Sequence, residues 1–271
     1  MKLFIVLRQI FAFTWRDMHR WSTYKTAAVT QLISVLIGIL AWGINATYVA
    51  QRGPVVEYNT DYVSFLIVGL VIGNIVMPLA QGVERRLNPW TLENILMTGV
   101  SIPVFVIGNI SWNYMFSITI FIPQLLIGIY WFNATLNINV SSTILAFAIS
   151  AMILLGLAMV STGIRLVTKS TDPVTWAINT LSQLAAGMTF PVQFLDEMFP
   201  GASSFSWFLP QTWVYHLCRQ AMLMGLPLTD PQMQLDLLKG LAFAVILFPL
   251  GYYIFNWGLK RAKRDGTLGW F

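Results

Sequence analysis

From Asn94 to Ile164 the chain contains no aspartate, glutamate, lysine or arginine. A soluble domain draws about a quarter of its residues from those four types. A stretch this long without them has no charged face to turn toward water, so it has to be enclosed by protein or by lipid. The whole chain follows the same bias, with 56% hydrophobic and 10% charged residues over 271 positions. That composition points to an integral membrane protein and leaves no segment polar enough for a separate soluble domain.

A helix needs about 20 mostly apolar residues to cross about 30 Å of hydrocarbon. Six segments meet that requirement, at about 26–50, 62–83, 103–132, 142–164, 174–195 and 237–259. They are long and lack the two-residue alternation of barrel strands, so the expectation is six transmembrane helices in an all-α integral membrane protein. Residues 26–259 form this transmembrane domain, with an interface helix over 1–25 before it and a basic tail over 260–271 after it. In the first segment Phe4, Leu7, Ile10/Phe11, Thr14/Trp15 and Met18 recur at helical spacing, with Arg8, Arg16 and Arg20 largely elsewhere. This is the pattern of an amphipathic helix lying in the membrane interface.

Positive charge sets the expected orientation. Lys2, Arg8, Arg16, Arg20 and Lys25 precede the first span, Arg85 and Arg86 follow the second, Arg165 and Lys169 follow the fourth, and Lys260, Arg261, Lys263 and Arg264 follow the sixth. The alternate connections hold Arg52, Arg219 and Lys239. Lys and Arg accumulate on the cytoplasmic side, so both termini are expected there. The net charge of +5 comes largely from these flanks and does not indicate a nucleic-acid partner. A single cysteine, Cys218, excludes an internal disulfide, and two distant histidines, His19 and His216, give no metal motif.

One cytoplasmic connection, "ERRLNPWTLENILMTG" from Glu84 to Gly99, is more elaborate than a turn. Asn88 before Pro89 reads as a helix start, Leu92, Ile95 and Leu96 form a short apolar stripe, and Gly99 is a suitable stop. The residues alone fit a helix floating on head groups as well as a dock for a cytoplasmic partner. The segment "VERRLNPWTLENILMTGVSIPVFVIGN" resembles the coupling segment of type-2 ABC-exporter permeases, through Glu84-Arg85, Thr91-Leu92-Glu93 and Ser101-Ile102-Pro103. Trp90 stands where that family usually has glycine. "GMTFPVQFL" (Gly187–Leu195) resembles the family's glycine-to-proline signature near the outer end of the fifth span, and "LKRAKRDGTLGWF" its basic tail.

The resemblance implies a permease subunit that pairs with a second copy, identical or closely related. Each copy binds one P-loop ATPase, two per complex, in the plasma (inner) membrane of a prokaryote. Glu84, Arg85, Arg86, Thr91, Leu92, Glu93 and Leu96 would then couple the chain to the ATPase. The chain has no GxxxxGK[ST] loop, so ATP and magnesium belong to the partner and no cofactor is expected here. The cargo implied is hydrophobic or amphiphilic: a drug-like compound, a lipid or a lipid-linked glycan. A self-contained channel or membrane-embedded enzyme is the alternative.

Polar residues within the spans mark the expected path or a helix seam. Thr175, Asn179, Ser182, Ala186, Thr189 and Gln193 fall on one helical stripe of the fifth span, and Gln31, Ser34, Gly38, Ala41 and Asn45 on one of the first. Gly69 and Gly73 form a close-packing pair in the second. Between spans five and six an outer re-entrant or interfacial segment is expected, with Gly187, Pro191 and Arg219 as an outer gate. Within it Pro210 opens a helix to about Met224, with Val214, Leu217/Cys218 and Ala221 facing inward and His216, Arg219 and Gln220 outward.

Overall fold

The computed structural model describes residues 2–49, 55–81, 97–168 and 173–265. The expected docking helix over Asn88–Met97, with Glu84, Arg85, Arg86, Thr91, Leu92, Glu93 and Leu96, lies outside the described residues apart from Met97. Among the described residues there is no β-strand, and one isolated bridge joins Val55 and Thr60. The helices are α1 (Lys2–Thr23), α2 (Lys25–Val49), α3 (Tyr62–Gln81), α4 (Ile102–Phe132), α5 (Val140–Thr168), α6 (Pro173–Leu184), α7 (Phe194–Met198), α8 (Ala202–Trp207), α9 (Pro210–Arg219) and α10 (Pro231–Arg264). A 3-10 turn (Val56–Tyr58) precedes α3, and a π-turn (Gln220–Met224) continues α9.

Four stretches, Ala28–Val49, Ile107–Phe132, Val140–Thr168 and Pro231–Arg264, are long and apolar enough to cross a membrane, and Tyr62–Val76 is a shorter apolar helix. The fold is therefore all-α, and its long helices suit an integral membrane protein. The segment expected to be helical over 174–195 differs: α6 is a 12-residue helix that stops at Leu184, well short of the about 20 residues a span requires.

Local chemistry explains where the helices begin and end. Asp61 caps α3: its carboxylate accepts from the Ser64 N–H at 2.9 Å and the Ser64 hydroxyl at 2.6 Å. The Thr135 hydroxyl also donates to Asp61, at 3.0 Å, and ties the α4–α5 turn to this cap. Helix α4 stops at Asn133, which takes the left-handed conformation (φ 53°) and donates its N–H to Gly128 O. Asp230 caps α10 by accepting from the Gln232 N–H at 2.8 Å, with Pro231 at the first helical position.

Helix α3 is the centre of the core, and Phe65, Ile67, Val68, Val71 and Val76 are fully buried. The most extensive pairing is α5 with α10. Gly156 faces Leu247 and Gly163 faces Ile254–Phe255, so the register advances in the same direction along both helices and they run parallel. A Cβ at Gly163 would come 2.6 Å from Ile254 O, and one at Gly156 2.8 Å from Leu247 Cβ. Bare backbone lets the helices approach this closely. The opposite side of the bundle is looser, and only 17% of the apolar stretch of α2 is buried.

Candidate functional site

Two features combine polar chemistry with shape. The first is a groove along α2, α3 and α4. At the α1 end a cavity of about 420 Å³ is lined by Asp17, Arg20, Trp21, Tyr24, Trp112 and Phe116, with Gln31 and Asn113 at its inner wall. A narrow space of about 80 Å³ follows between Gln31, Asn74, Asn113 and Ser117. A third, of about 330 Å³, lies between Gln31, Ser34, Gly38, Trp42, Leu70, Asn74 and Met188. Gln31 borders all three and Asn74 the last two, so amide side chains border a row of neighbouring spaces along the bundle.

This row of spaces sorts the residues singled out on the first span. Gln31 and Ser34 line it, although the Ser34 hydroxyl also donates to Thr30 O at 2.8 Å. Asn45 donates to Ala41 O at 2.8 Å and borders none of these three spaces. Asn113 had no distinguishing spacing in the sequence, because its partners come from α2 and α3. The groove's α1 end is fixed in place. Arg16 pairs with Asp17 at 3.0 Å and donates to Asn109 Oδ1 at 2.9 Å, which fastens α1 to α4. Burial, and then the charge of neighbouring Arg20, lower the Arg16 pKa from its usual value.

The second feature lies at the opposite end, where α6 breaks. The N–H groups of Ala185 and Ala186 both donate to Leu181 O, and Gly187 adopts a φ of +82° that side-chain-bearing residues rarely adopt. The carbonyls freed by this break need donors. Arg219 supplies them: its guanidinium donates to Gly187 O and to Met188 O at 2.8 Å, and it also donates to Phe65 O of α3 at 3.2 Å. The Phe65 ring lies 3.6 Å from the guanidinium carbon. Gly69 makes room for this contact, because a Cβ there would run into Met188 O and the Arg219 guanidinium. The Gly69–Gly73 pair thus receives the broken segment of the chain, where the sequence had suggested a seam between helices.

The expected outward position of Arg219 and Gln220 is corrected by the structure. Arg219 is 1% and Gln220 0% exposed, while Val214, Leu217, Cys218 and Ala221 are buried as anticipated. Nearly the whole circumference of α9 is enclosed, since α3, α5, α6 and α10 all pack against it. His216, also expected to face outward, is largely enclosed, its side chain 11% exposed and tied on both ring nitrogens. Its Nε2 lies 3.2 Å from Asp236 Oδ2 and its Nδ1 2.8 Å from the Tyr58 hydroxyl. A carboxylate accepts only, so Nε2 carries the proton and Tyr58 donates to Nδ1 when the ring is neutral. Asp236 also accepts from Gln220 at 2.8 Å and Lys239 at 3.0 Å.

A cavity of about 500 Å³ beside this network is lined by Glu57, Gln193, Trp207, Trp213, His216, Asp236 and Lys239. Glu57 and Gln193 also border a space of about 330 Å³ with Tyr62, Phe190, Pro191 and Phe194. Burial raises the Glu57 pKa from its ordinary value, against the lowering effect of His216 and Arg219. Of the expected gate residues, Gly187 and Arg219 touch, and Pro191 lines the adjacent space.

The stripe read along the fifth span divides at Leu184. Thr175 and Ser182 are buried on α6, with the Thr175 hydroxyl 2.8 Å from that of Ser161 on α5, and Asn179 is half-buried. Ala186, Thr189 and Gln193 lie beyond the helix. The Thr189 hydroxyl donates to Gln183 O at 2.7 Å, and Gln193 is exposed to the two cavities. Against models of known protein families and against curated proteins, the chain finds no match.

Proposed function

We propose that this chain is the membrane-spanning permease subunit of an ATP-driven ABC exporter. It carries a hydrophobic or amphiphilic cargo outward by alternating access, powered by a separate ATPase docked near Asn88–Met97. The α1 end faces the cytoplasm of a prokaryotic cell, and the broken end of α6 faces out. The observation that carries this reading is the groove marked by Gln31, Asn74 and Asn113. Amides facing an uncovered side of an apolar bundle call for water, a cargo or a second protein surface. The exposed side of α2 is where a second copy would complete the path. Support for the ATPase partner comes from the sequence resemblance around Thr91-Leu92-Glu93.

Single cysteines at Gln31, Asn74 and Asn113 test the path, because native Cys218 is fully buried and 3.8 Å from the Ser150 hydroxyl. In membranes containing the whole complex, a water-soluble maleimide should label all three, at rates that change severalfold when ATP is trapped on the partner. A cysteine at exposed Ile246, on α10 and outside the groove, serves as a lipid-facing control and should stay unlabelled. Equal, ATP-independent labelling of groove and control positions would remove the basis for a gated path.

A further inference from the structure

We infer that the cavity of about 420 Å³ at the α1 end is a binding site for the head group of an anionic phospholipid from the surrounding bilayer. The inference rests on the reading that α1 lies in the membrane interface. Four side chains along one side of α1, Phe4, Leu7, Phe11 and Trp15, are 71%, 56%, 63% and 55% exposed. That apolar ridge sets the depth of the helix at the boundary between acyl chains and head groups. The cavity opens at the same end of the bundle, where α1 meets α2 and α4.

Its wall has the chemistry of a phosphate-headed amphiphile. Arg16 is engaged by Asp17 and Asn109. Arg20 is exposed and has no ion pair among the described residues, so one guanidinium at the rim remains for an anion. Of the two charged residues in the wall, Asp17 is neutralised by Arg16 from outside it, which leaves Arg20 to favour an anionic head over a zwitterionic one. Trp21 stacks obliquely with Phe116 (5.2 Å between centroids) and Trp112 (6.1 Å), giving an amphipathic aromatic wall suited to the glycerol and ester level of a lipid. Gln31 places an amide at the same wall, within reach of ester carbonyls. A free phosphate ion would use Arg20 but gain nothing from the aromatic wall.

The test is native mass spectrometry of the full chain, delipidated in detergent and titrated with palmitoyl-oleoyl phosphatidylglycerol. The wild type should retain one tightly held lipid, and phosphatidylcholine should need a severalfold higher concentration. Arg20→Gln should weaken retention about fivefold, the scale of one basic residue near a charged lipid surface. Lys25→Gln, at the start of α2 and outside the cavity wall, should leave it unchanged. Trp112→Ala should weaken it independently of charge, and millimolar inorganic phosphate should not displace the lipid. Equal retention by wild type, Arg20→Gln and Trp112→Ala, or displacement by phosphate alone, would overturn the site. Carbonate extraction of the same membranes separates the two claims. Release of the chain would defeat the membrane reading, whereas a chain that stays membrane-bound yet holds no such lipid would defeat only the site.

Discussion

At the scale of single residues, Arg219 carries the most structural consequence. It is desolvated, and its compensation comes from three carbonyls and the Phe65 ring. The dependence is mutual, because without Arg219 the carbonyls of the broken segment lose their donors. Each buried carbonyl left unpaired costs about 1–3 kcal/mol. Arg219→Met should therefore lower the thermal midpoint in detergent by many degrees. Arg219→Lys should fail to restore it, since an ammonium lacks the planar fork that spans separate acceptors. A lysine variant as stable as the wild type would show that charge alone suffices. The sequence displayed Arg219 but not its orientation. Helical periodicity placed it outward, and the partner that turns it inward, Gly187, lies 32 residues away along the chain.

Asp61 supports a prediction of opposite sign logic. Burial pushes its pKa up, but the Ser64 hydroxyl and N–H and the Thr135 hydroxyl outweigh that and hold the carboxyl below its ordinary value. A depressed folded-state pKa contributes stability above the unfolded value, about 3.9 for aspartate, and loses it as pH falls through the folded value. Thermal midpoints should thus decline below about pH 4 by more in the wild type than in Asp61→Asn. The asparagine keeps a capping oxygen without titrating. Parallel pH profiles would remove Asp61 from the acid response.

At the scale of elements, the α5–α10 seam shows what glycine does in this bundle. A Cβ at Gly163 would press into the backbone of Ile254, while Gly38 on α2 has nothing within 4 Å. Gly163→Ala should destabilise by about 1–3 kcal/mol through overpacking, whereas Gly38→Ala should be neutral or stabilising by roughly 0.5–1 kcal/mol through helix propensity. Detergent melting curves of the two variants test the contrast, and equal midpoints would contradict the packing described.

Element bounds were legible where apolarity alone sets them: α4 lies wholly within an uncharged run, α2 and α5 each carry one charge near an end, and α10 extends past its apolar run to take in Asp236, Lys239 and the basic residues from Lys260 to Arg264. The end of α6 was not. Its polar stripe continues in phase through Ala186 and Thr189 although the backbone does not, because tertiary hydrogen bonds replace helical ones after Leu184. The groove was half legible. Gln31 and Ser34 share a spacing on one helix, but Asn74 and Asn113 join them only through the packing of three helices.

At the scale of the whole molecule, the two ends of the bundle are chemically different. One gathers the α1 arginines, the aromatic cavity and the mouth of the groove; the other holds the Arg219 clamp and the Tyr58–His216–Asp236 chain. The proposed permease would use such a division as an entry that opens and an exit that stays latched until driven. On the proposed reading, the drive comes from another chain. Gentle detergent extraction from native membranes, capture of this protein and identification of what accompanies it tests that claim directly. A P-loop ATPase is expected in the wild-type sample and should be lost in the Leu92→Asp, Glu93→Arg double variant. A wild-type sample carrying no ATPase would contradict that reading.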